Sequence, residues 1–144
     1  MLSDDDNQRM CRVGANQPMG RLLRRHWLPV VGADRHVAGG DPQPVQLAGE
    51  DFVAWRDEGG RAGLFDLACL HRGASMRLAR AEGDGLRCIY HGWKFGVDGK
   101  VLETPNVADP RFGQRLRGRT HPVCEAGGLL WAYIGRGAQE PAFP

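Results

Sequence analysis

Two short stretches of the sequence carry cysteine and histidine at spacings typical of a metal centre. The first is Cys69-Leu70-His71, and sixteen residues separate it from the second, Cys88-Ile89-Tyr90-His91. Together they offer two thiolates and two imidazoles, a donor set found in zinc sites and in iron–sulfur centres. Zinc fingers usually pair like with like, whereas each stretch here is mixed. A mixed stretch can grip both irons of a two-iron cluster if one iron takes the thiolates and the other the imidazoles. The spacing favours such a cluster, with zinc as the alternative.

Strand patterns lead into both stretches. Apolar residues at period two, followed by turn residues, predict an antiparallel meander that ends just before Cys69. Its predicted strands are Val45–Leu47, Phe52–Trp55 and Leu64–Leu67. A further strand over 86–90 ends at His91, and a hairpin over 93–102 turns at Asp98-Gly99. Because both stretches follow strands, we expect two loop tips that face one another.

The ends of the chain differ from this central region. Pro18–His26 resembles a short helix with proline in its first turn, and its arginines are expected to form a solvated face, with partner docking as the alternative. A first strand over 27–31 and a final hairpin over 122–134 frame the β region. We therefore expect an N-terminal extension with a short helix at 1–26, a mostly β domain at 27–137, and the start of a linker at 138–144, which is rich in proline.

Composition narrows the class of protein. A chain of 144 residues fits one domain, and 19 Lys and Arg against 17 Asp and Glu argue against a nucleic-acid or membrane-surface protein. The first residues are acidic, unlike a secretory signal, and no apolar run approaches the roughly 20 residues of a membrane span. A cytoplasmic location is expected, with Cys11 and Cys124 unpaired.

The motif is similar to one known family. Cys69-Leu70-His71-Arg72-Gly73 with Cys88-Ile89-Tyr90-His91-Gly92-Trp93-Lys94-Phe95 resembles the Rieske [2Fe-2S] motif. The flanks, Asn16–Val30 and Gly85–Phe95, resemble the phthalate-dioxygenase-like branch of Rieske non-haem iron oxygenases, and the resemblance covers essentially the whole chain. Leu70 stands where the family usually has proline, which affects only the stiffness of the loop. The resemblance implies the Rieske iron–sulfur fold of stacked antiparallel sheets with two cluster-binding loops.

The resemblance also implies the site. Cys69 and Cys88 would hold the inner iron of the [2Fe-2S] cluster, and His71 and His91 the outer iron. Gly73, Gly92 and Trp93 would support the loops. Respiratory-chain Rieske proteins have a disulfide across the loops and hydroxyl donors after the second histidine. This chain instead has Ala74 and Tyr90 at the cysteine positions and Trp93 and Phe95 at the donor positions. A low-potential cluster is therefore predicted, since hydrogen bonds to the sulfurs raise the potential.

An oxygenase of this family also needs a mononuclear Fe(II) held by two histidines and a carboxylate. The remaining histidines, His26, His36 and His121, lie far apart in the sequence and are not expected to be ligands. No catalytic residue is therefore expected in this chain, which should transfer electrons only. The catalytic domain would follow it, so the sequence is expected to be part of a longer frame.

Two functions remain. The first is the electron-transfer domain of an aromatic-compound oxygenase, a dioxygenase or a demethylating monooxygenase. It would relay electrons from a flavin-dependent reductase to mononuclear iron, usually on a neighbouring subunit of a trimer-like homo-oligomer. The second is a free-standing Rieske-type ferredoxin. The helix and the Pro18-Met19-Gly20 segment favour the first, because a minimal carrier needs little before its first strand.

Overall fold

The computed structural model describes residues 1–109, 111–135 and 141–144. These residues form mostly short antiparallel strands joined by turns. The helices are α1 (Asp4–Cys11) and α2 (Pro18–Leu23). The strands are β1 (Leu28–Gly32), β2 (Gln43–Leu47), β3 (Glu50–Arg56), β4 (Ala62–Asp66), β5 (Arg80–Glu82), β6 (Gly85–Arg87), β7 (Lys94–Gly96), β8 (Val101–Glu103), β9 (Thr120–His121), β10 (Val123–Ala126) and β11 (Leu129–Ala132). The expected mostly β class is confirmed.

The strands form three antiparallel sheets in the orders β1-β11-β10, β2-β3-β4-β9 and β5-β6-β7-β8. The second sheet is the middle layer, because its two faces contribute to two different apolar cores. Phe52, Ala54 and Leu64 pack with β11, whereas Val53 and Phe65 pack with β6 and β7. This explains why four consecutive residues of β3, from Phe52 to Trp55, are all buried. The middle sheet thereby gives the third sheet, which carries the second Cys/His stretch, a rigid base.

A buried arginine attaches the N-terminal segment to this β body. Arg24 is only 8% exposed, and its guanidinium donates to the carbonyls of Val13, Gly20 and Ala48 and pairs with the Glu50 carboxylate at 2.6 Å. The arginines were expected to form a solvated face or to dock a partner, and for Arg24 this expectation was wrong. Its charge is compensated by the chain itself, which is how a buried guanidinium can be stable.

Other expectations differ from the structure in detail. The segment before residue 18 contains α1, which sequence reasoning did not predict and which buries none of its residues. The helix over 18–26 ends at Leu23, and the strand over 86–90 ends at Arg87, before Cys88. The expected domain boundary between 137 and 138 lies outside the described residues. In the described part of the chain, no helix has the length and apolarity that crossing a membrane would require.

Candidate metal centre

Two loops that are closed by the same pattern of backbone hydrogen bonds carry the predicted ligands. The first ligand loop, residues 69–74, follows β4, and the second, residues 88–93, joins β6 to β7. In the first, the Cys69 N–H donates to the Ala74 carbonyl at 2.8 Å, and the Gly73 N–H donates to the Cys69 carbonyl at 2.9 Å. In the second, the matching distances are 2.9 Å from Cys88 to Trp93 and 3.0 Å from Gly92 to Cys88. Each cysteine thus begins the same kind of turn.

A glycine four residues after each cysteine makes this turn possible. Gly73 has φ +67° and Gly92 has φ +73°, both in the left-handed region that residues with a Cβ rarely adopt. A Cβ on Gly73 would meet open space, whereas one on Gly92 would lie 3.2 Å from Cγ of Pro105. The role of both glycines in turning the loops, expected from the sequence, therefore has a backbone basis, and Gly92 also lies close to a neighbouring ring.

The two thiols lie on the inner side of the loops. Cys69 is 5% and Cys88 3% exposed, and both belong to the apolar core that contains Trp93 and Phe95. Burial, together with the Cys88 thiol within hydrogen-bonding reach, raises the pKa of Cys69 to about 11. The Cys69 thiol is therefore protonated at neutral pH when no metal is bound. Binding of a metal would displace this proton, because the thiolate is the ligand form.

The two imidazoles lie on the outer side. His71 and His91 are half-buried, and their ring centroids are 4.6 Å apart with the planes at 68°. Desolvation, with smaller contributions from His91 and Arg72, lowers the pKa of His71. A lowered pKa keeps this imidazole neutral, which is the form that binds a metal. The four predicted ligands thus come together as an inner thiol pair and an outer imidazole pair.

Trp93 is placed against the outer pair. Its ring stacks on His71 with the centroids 4.5 Å apart and the planes within 3° of parallel. The side chain is 4% exposed, and its Nε1–H has no hydrogen-bond partner among the described residues. Buried donors are nearly always paired, so an unpaired one beside His71, a predicted ligand, fits a site whose acceptor is not a protein atom. The residues present therefore fit a sulfide-bridged cluster.

The predicted ligands lie as two pairs of like side chains. Within residues 1–109, 111–135 and 141–144, no group of three or more His, Cys, Asp or Glu side chains is arranged to hold one metal ion. Structural zinc requires four donors converging on one point, and a mononuclear iron centre requires two histidines and a carboxylate. A two-iron cluster instead needs a thiolate pair and an imidazole pair, and the structure places Cys69 beside Cys88 and His71 beside His91.

The other three histidines lie apart from this centre. His121 pairs with Asp66 at 2.8 Å and helps to join β4 to β9, while His26 is exposed. His36 is 3% exposed; the Ala54 backbone lies beside its ring, but neither ring nitrogen makes a contact of hydrogen-bond geometry. Burial, followed by the charge of Arg56, lowers the pKa of His36.

The arginines near residue 115 have mostly local partners. Arg119 pairs with Asp66 at 3.2 Å, Arg117 donates to the Asp98 carbonyl, and Arg111 lies 3.6 Å from Asp109. Three of these charges therefore have partners within the chain. One further arginine, Arg87, was not assigned a role from the sequence, although it directly precedes Cys88.

Comparisons with known proteins agree with this geometry. Residues 26–120 match the Rieske [2Fe-2S] domain family. The chain is 45% identical over 139 residues to the 5,5'-dehydrodivanillate O-demethylase oxygenase subunit of a Sphingobium species, covering 94% of this chain and 32% of that protein. It is 41% identical over 147 residues to the phthalate 4,5-dioxygenase oxygenase subunit of Pseudomonas putida, covering 99% and 33%.

A solved structure supports the same conclusion. The terminal oxygenase of carbazole 1,9a-dioxygenase from Novosphingobium sp. KA1 superposes with a TM-score of 0.71 and 32% identity, covering 83% of this chain and 32% of that one. The expected stacked-sheet fold is thereby confirmed. The chain spans about a third of the length of these relatives.

Proposed function

The chain belongs to the Rieske [2Fe-2S] domain family, and we propose that it is the electron-transfer domain of an aromatic-compound oxygenase. Cys69 and Cys88 would hold the inner iron, and His71 and His91 the outer iron. When bound, the cluster supplies one-electron transfer between a donor and the mononuclear iron of a catalytic domain. The chain's own residues set the burial, charge and rigidity of that centre.

The distribution of burial supports this assignment. The inner thiols lie in an apolar core, which excludes water from the sulfur side. The outer imidazoles are half-buried, so the histidine side is the side on which a partner can approach. Two neutral imidazoles in place of two thiolates also make the centre less negative, which favours its reduction.

The observation that carries the proposal is the pairing of side chains on two equally closed loops. Each loop supplies one buried sulfur and one half-buried imidazole, so each loop contributes one side chain to the inner thiol pair and one to the outer imidazole pair. A free-standing ferredoxin would need the same loops. The oxygenase function is favoured because the relatives that match nearly the whole chain are oxygenase subunits.

The partners follow from that function. We propose a flavin-dependent reductase as the electron donor and a catalytic domain, on a neighbouring subunit of a homo-oligomer, as the acceptor. Aromatic dihydroxylation and O-demethylation are the two candidate reactions, in line with the names of the relatives. The four ligand side chains of this chain would take no part in choosing the substrate.

Cluster content tests the proposal with matched variants. The purified chain should contain two irons and two acid-labile sulfides and give an EPR signal on reduction. Cys88→Ser and His91→Ala should abolish the signal. Cys124→Ser and His26→Ala, which change the same residue types outside the loops, should retain it. A chain that binds zinc without sulfide, or a Cys88→Ser variant with a full cluster, would contradict the assignment.

A further inference from the structure

The two ligand loops share the same backbone hydrogen bonds but differ in the side-chain hydrogen bonds that they receive. The first ligand loop is held by its own backbone, and the hydrogen bonds of the described residues include none from a side chain to a carbonyl of residues 69–74. The second receives two such bonds: Nη1 of Arg87 donates to the Gly92 carbonyl at 2.8 Å, and Nδ2 of Asn106 donates to the His91 carbonyl at the longer distance of 3.5 Å. Gly92 directly follows His91, so the shorter contact, from Arg87, acts on the backbone that carries an outer ligand.

Arg87 is itself fixed by two carboxylates. Its Nε and Nη2 donate to the two oxygens of Glu82 at 2.6 and 2.8 Å, and Nη2 also reaches Glu103 at 2.8 Å. A planar guanidinium held in this forked way has few other orientations open to it. Nη1 is therefore directed at the loop by contacts within the protein.

One of these carboxylates, Glu103, is in turn shared with the neighbouring strand β7. Lys94 lies opposite Arg87 on β7, is 8% exposed, and contacts Asp84 at 2.8 Å and Glu103 at 3.7 Å. An isolated exposed ion pair contributes little to stability. Here the Arg87 side chain is only 23% exposed, and the charges share partners across four strands, β5 to β8, so the network restrains geometry more than a single pair would.

The equivalent position before Cys69 is occupied by Ala68. Its side chain cannot reach a loop carbonyl, and its backbone pairs with Ser75 in an isolated bridge. The contrast between Ala68 and Arg87 is therefore a difference in side-chain support between two turns of the same backbone form.

We propose that Arg87, oriented by Glu82 and Glu103, is a positioning residue that fixes the Gly92 carbonyl and so the placement of His91 in the metal centre. This inference rests on the proposed function, because it takes His91 as a ligand. Outer partners of metal ligands typically change metal affinity by about 10–100-fold when they are removed. We expect an effect of that size on retention of the cluster.

The test compares Arg87→Gln with Arg80→Gln in the purified chain. Arg80 is the cross-strand neighbour of Arg87 on β5 and is exposed, so its replacement removes the same charge without removing a loop contact. Arg87→Gln should lose the cluster to a chelator about 10–100-fold faster than the parent chain and should shift or broaden the EPR g-values of the reduced centre. Arg80→Gln should match the parent chain in both measurements.

Two further variants keep the test decisive if Arg87→Gln does not fold. Arg87→Lys retains the charge but loses the fork, and it should reproduce the faster loss. The double variant Glu82→Gln with Glu103→Gln leaves Arg87 in place but unoriented, and it should change the g-values in the same direction. Wild-type g-values and loss rate in the Arg87 variants, even with a lower melting temperature, would show a purely structural role.

Equal effects of Arg80→Gln and Arg87→Gln would reduce the role to one of charge. The proposed function fails separately, if the parent chain itself shows no [2Fe-2S] signal.

Discussion

Replacing the loop glycines with alanine separates backbone strain from steric contact. In Gly92→Ala the residue must keep φ near +73°, which costs about 1–2 kcal/mol for a residue with a Cβ. The new Cβ also lies 3.2 Å from Cγ of Pro105. Because Pro105 is exposed and can shift, this contact should add about 1 kcal/mol, the low end of the cost of overpacking. The total is about 2–3 kcal/mol.

Two other glycines provide matched controls. Gly73 has φ +67° in the first ligand loop, Gly127 has φ +58° in the turn between β10 and β11, and a Cβ on either meets nothing within 4 Å. Both alanine variants should therefore lose only the backbone cost of about 1–2 kcal/mol. Gly92→Ala should melt about 2–4 °C below Gly73→Ala, since 1 kcal/mol corresponds to about that shift for a chain of this size.

The assay follows thermal unfolding at one scan rate by far-UV circular dichroism and by the visible absorption of the cluster. Midpoints are compared at a fixed rate because a protein with a bound metal cluster does not unfold in two states. Gly73→Ala and Gly92→Ala should lose the visible absorption earlier than the far-UV signal, whereas Gly127→Ala should lose both together. Equal midpoints for Gly92→Ala and Gly127→Ala, with the cluster retained equally, would refute the reasoning.

Three further predictions follow from single side chains. The reduction potential of the wild-type chain should lie below about +100 mV in a redox titration, because the buried Trp93 and Phe95 offer no hydroxyl donors; a higher value would contradict this. Trp93→Phe, which keeps the stacked ring but removes the unpaired N–H, should lower the potential by about 40 mV, the equivalent of one hydrogen bond of about 1 kcal/mol, while Phe112→Leu should leave it unchanged. An unchanged potential in Trp93→Phe would show that the indole N–H meets no cluster sulfur. The pKa of His36 is lowered from 6.5 in the folded chain, so below pH 6.5 the unfolded chain binds a proton that the folded chain does not bind. The stability of the fold therefore decreases as the pH falls from 6.5. His36→Leu should flatten this loss between pH 7.5 and 5.5 in urea denaturation, and an unchanged slope would exclude His36 as its source.

Local sequence patterns were enough to predict the loops. Cys69, His71, Cys88 and His91 were placed in two facing loops because turn residues and strand alternation act over a few neighbouring positions. Three of the four strands of the middle sheet, β2 to β4, were also predicted, although the four buried residues of β3 reflect packing on both faces rather than simple alternation; β9 was not predicted. These features depend on residues close together in the chain, which a sequence shows directly.

The missed features depend on distant partners or on weak patterns. The strand β5, Arg80–Glu82, has one apolar residue among three, too few to show alternation. The burial of Arg24 depends on carbonyls collected from Val13, Gly20 and Ala48, which only the folded chain brings together. Helix α1 buries no side chain, so it has no apolar face that a periodicity could reveal.

The unequal spacing of the two motifs has a simple structural meaning. Both turns close with the same two backbone hydrogen bonds, and a left-handed glycine follows each cysteine by four residues. The extra residue in Cys-x-x-His therefore does not enlarge the second loop. It moves the imidazole one position nearer the glycine, so His71 and His91 occupy different positions in equivalent turns. Their ring planes lie at 68° to each other. In the second loop the histidine directly precedes that glycine, so the contact from Arg87 to the Gly92 carbonyl lies one residue from the imidazole. The same contact in the first loop would fall two residues from His71, where the parallel stack on Trp93 orients the ring instead.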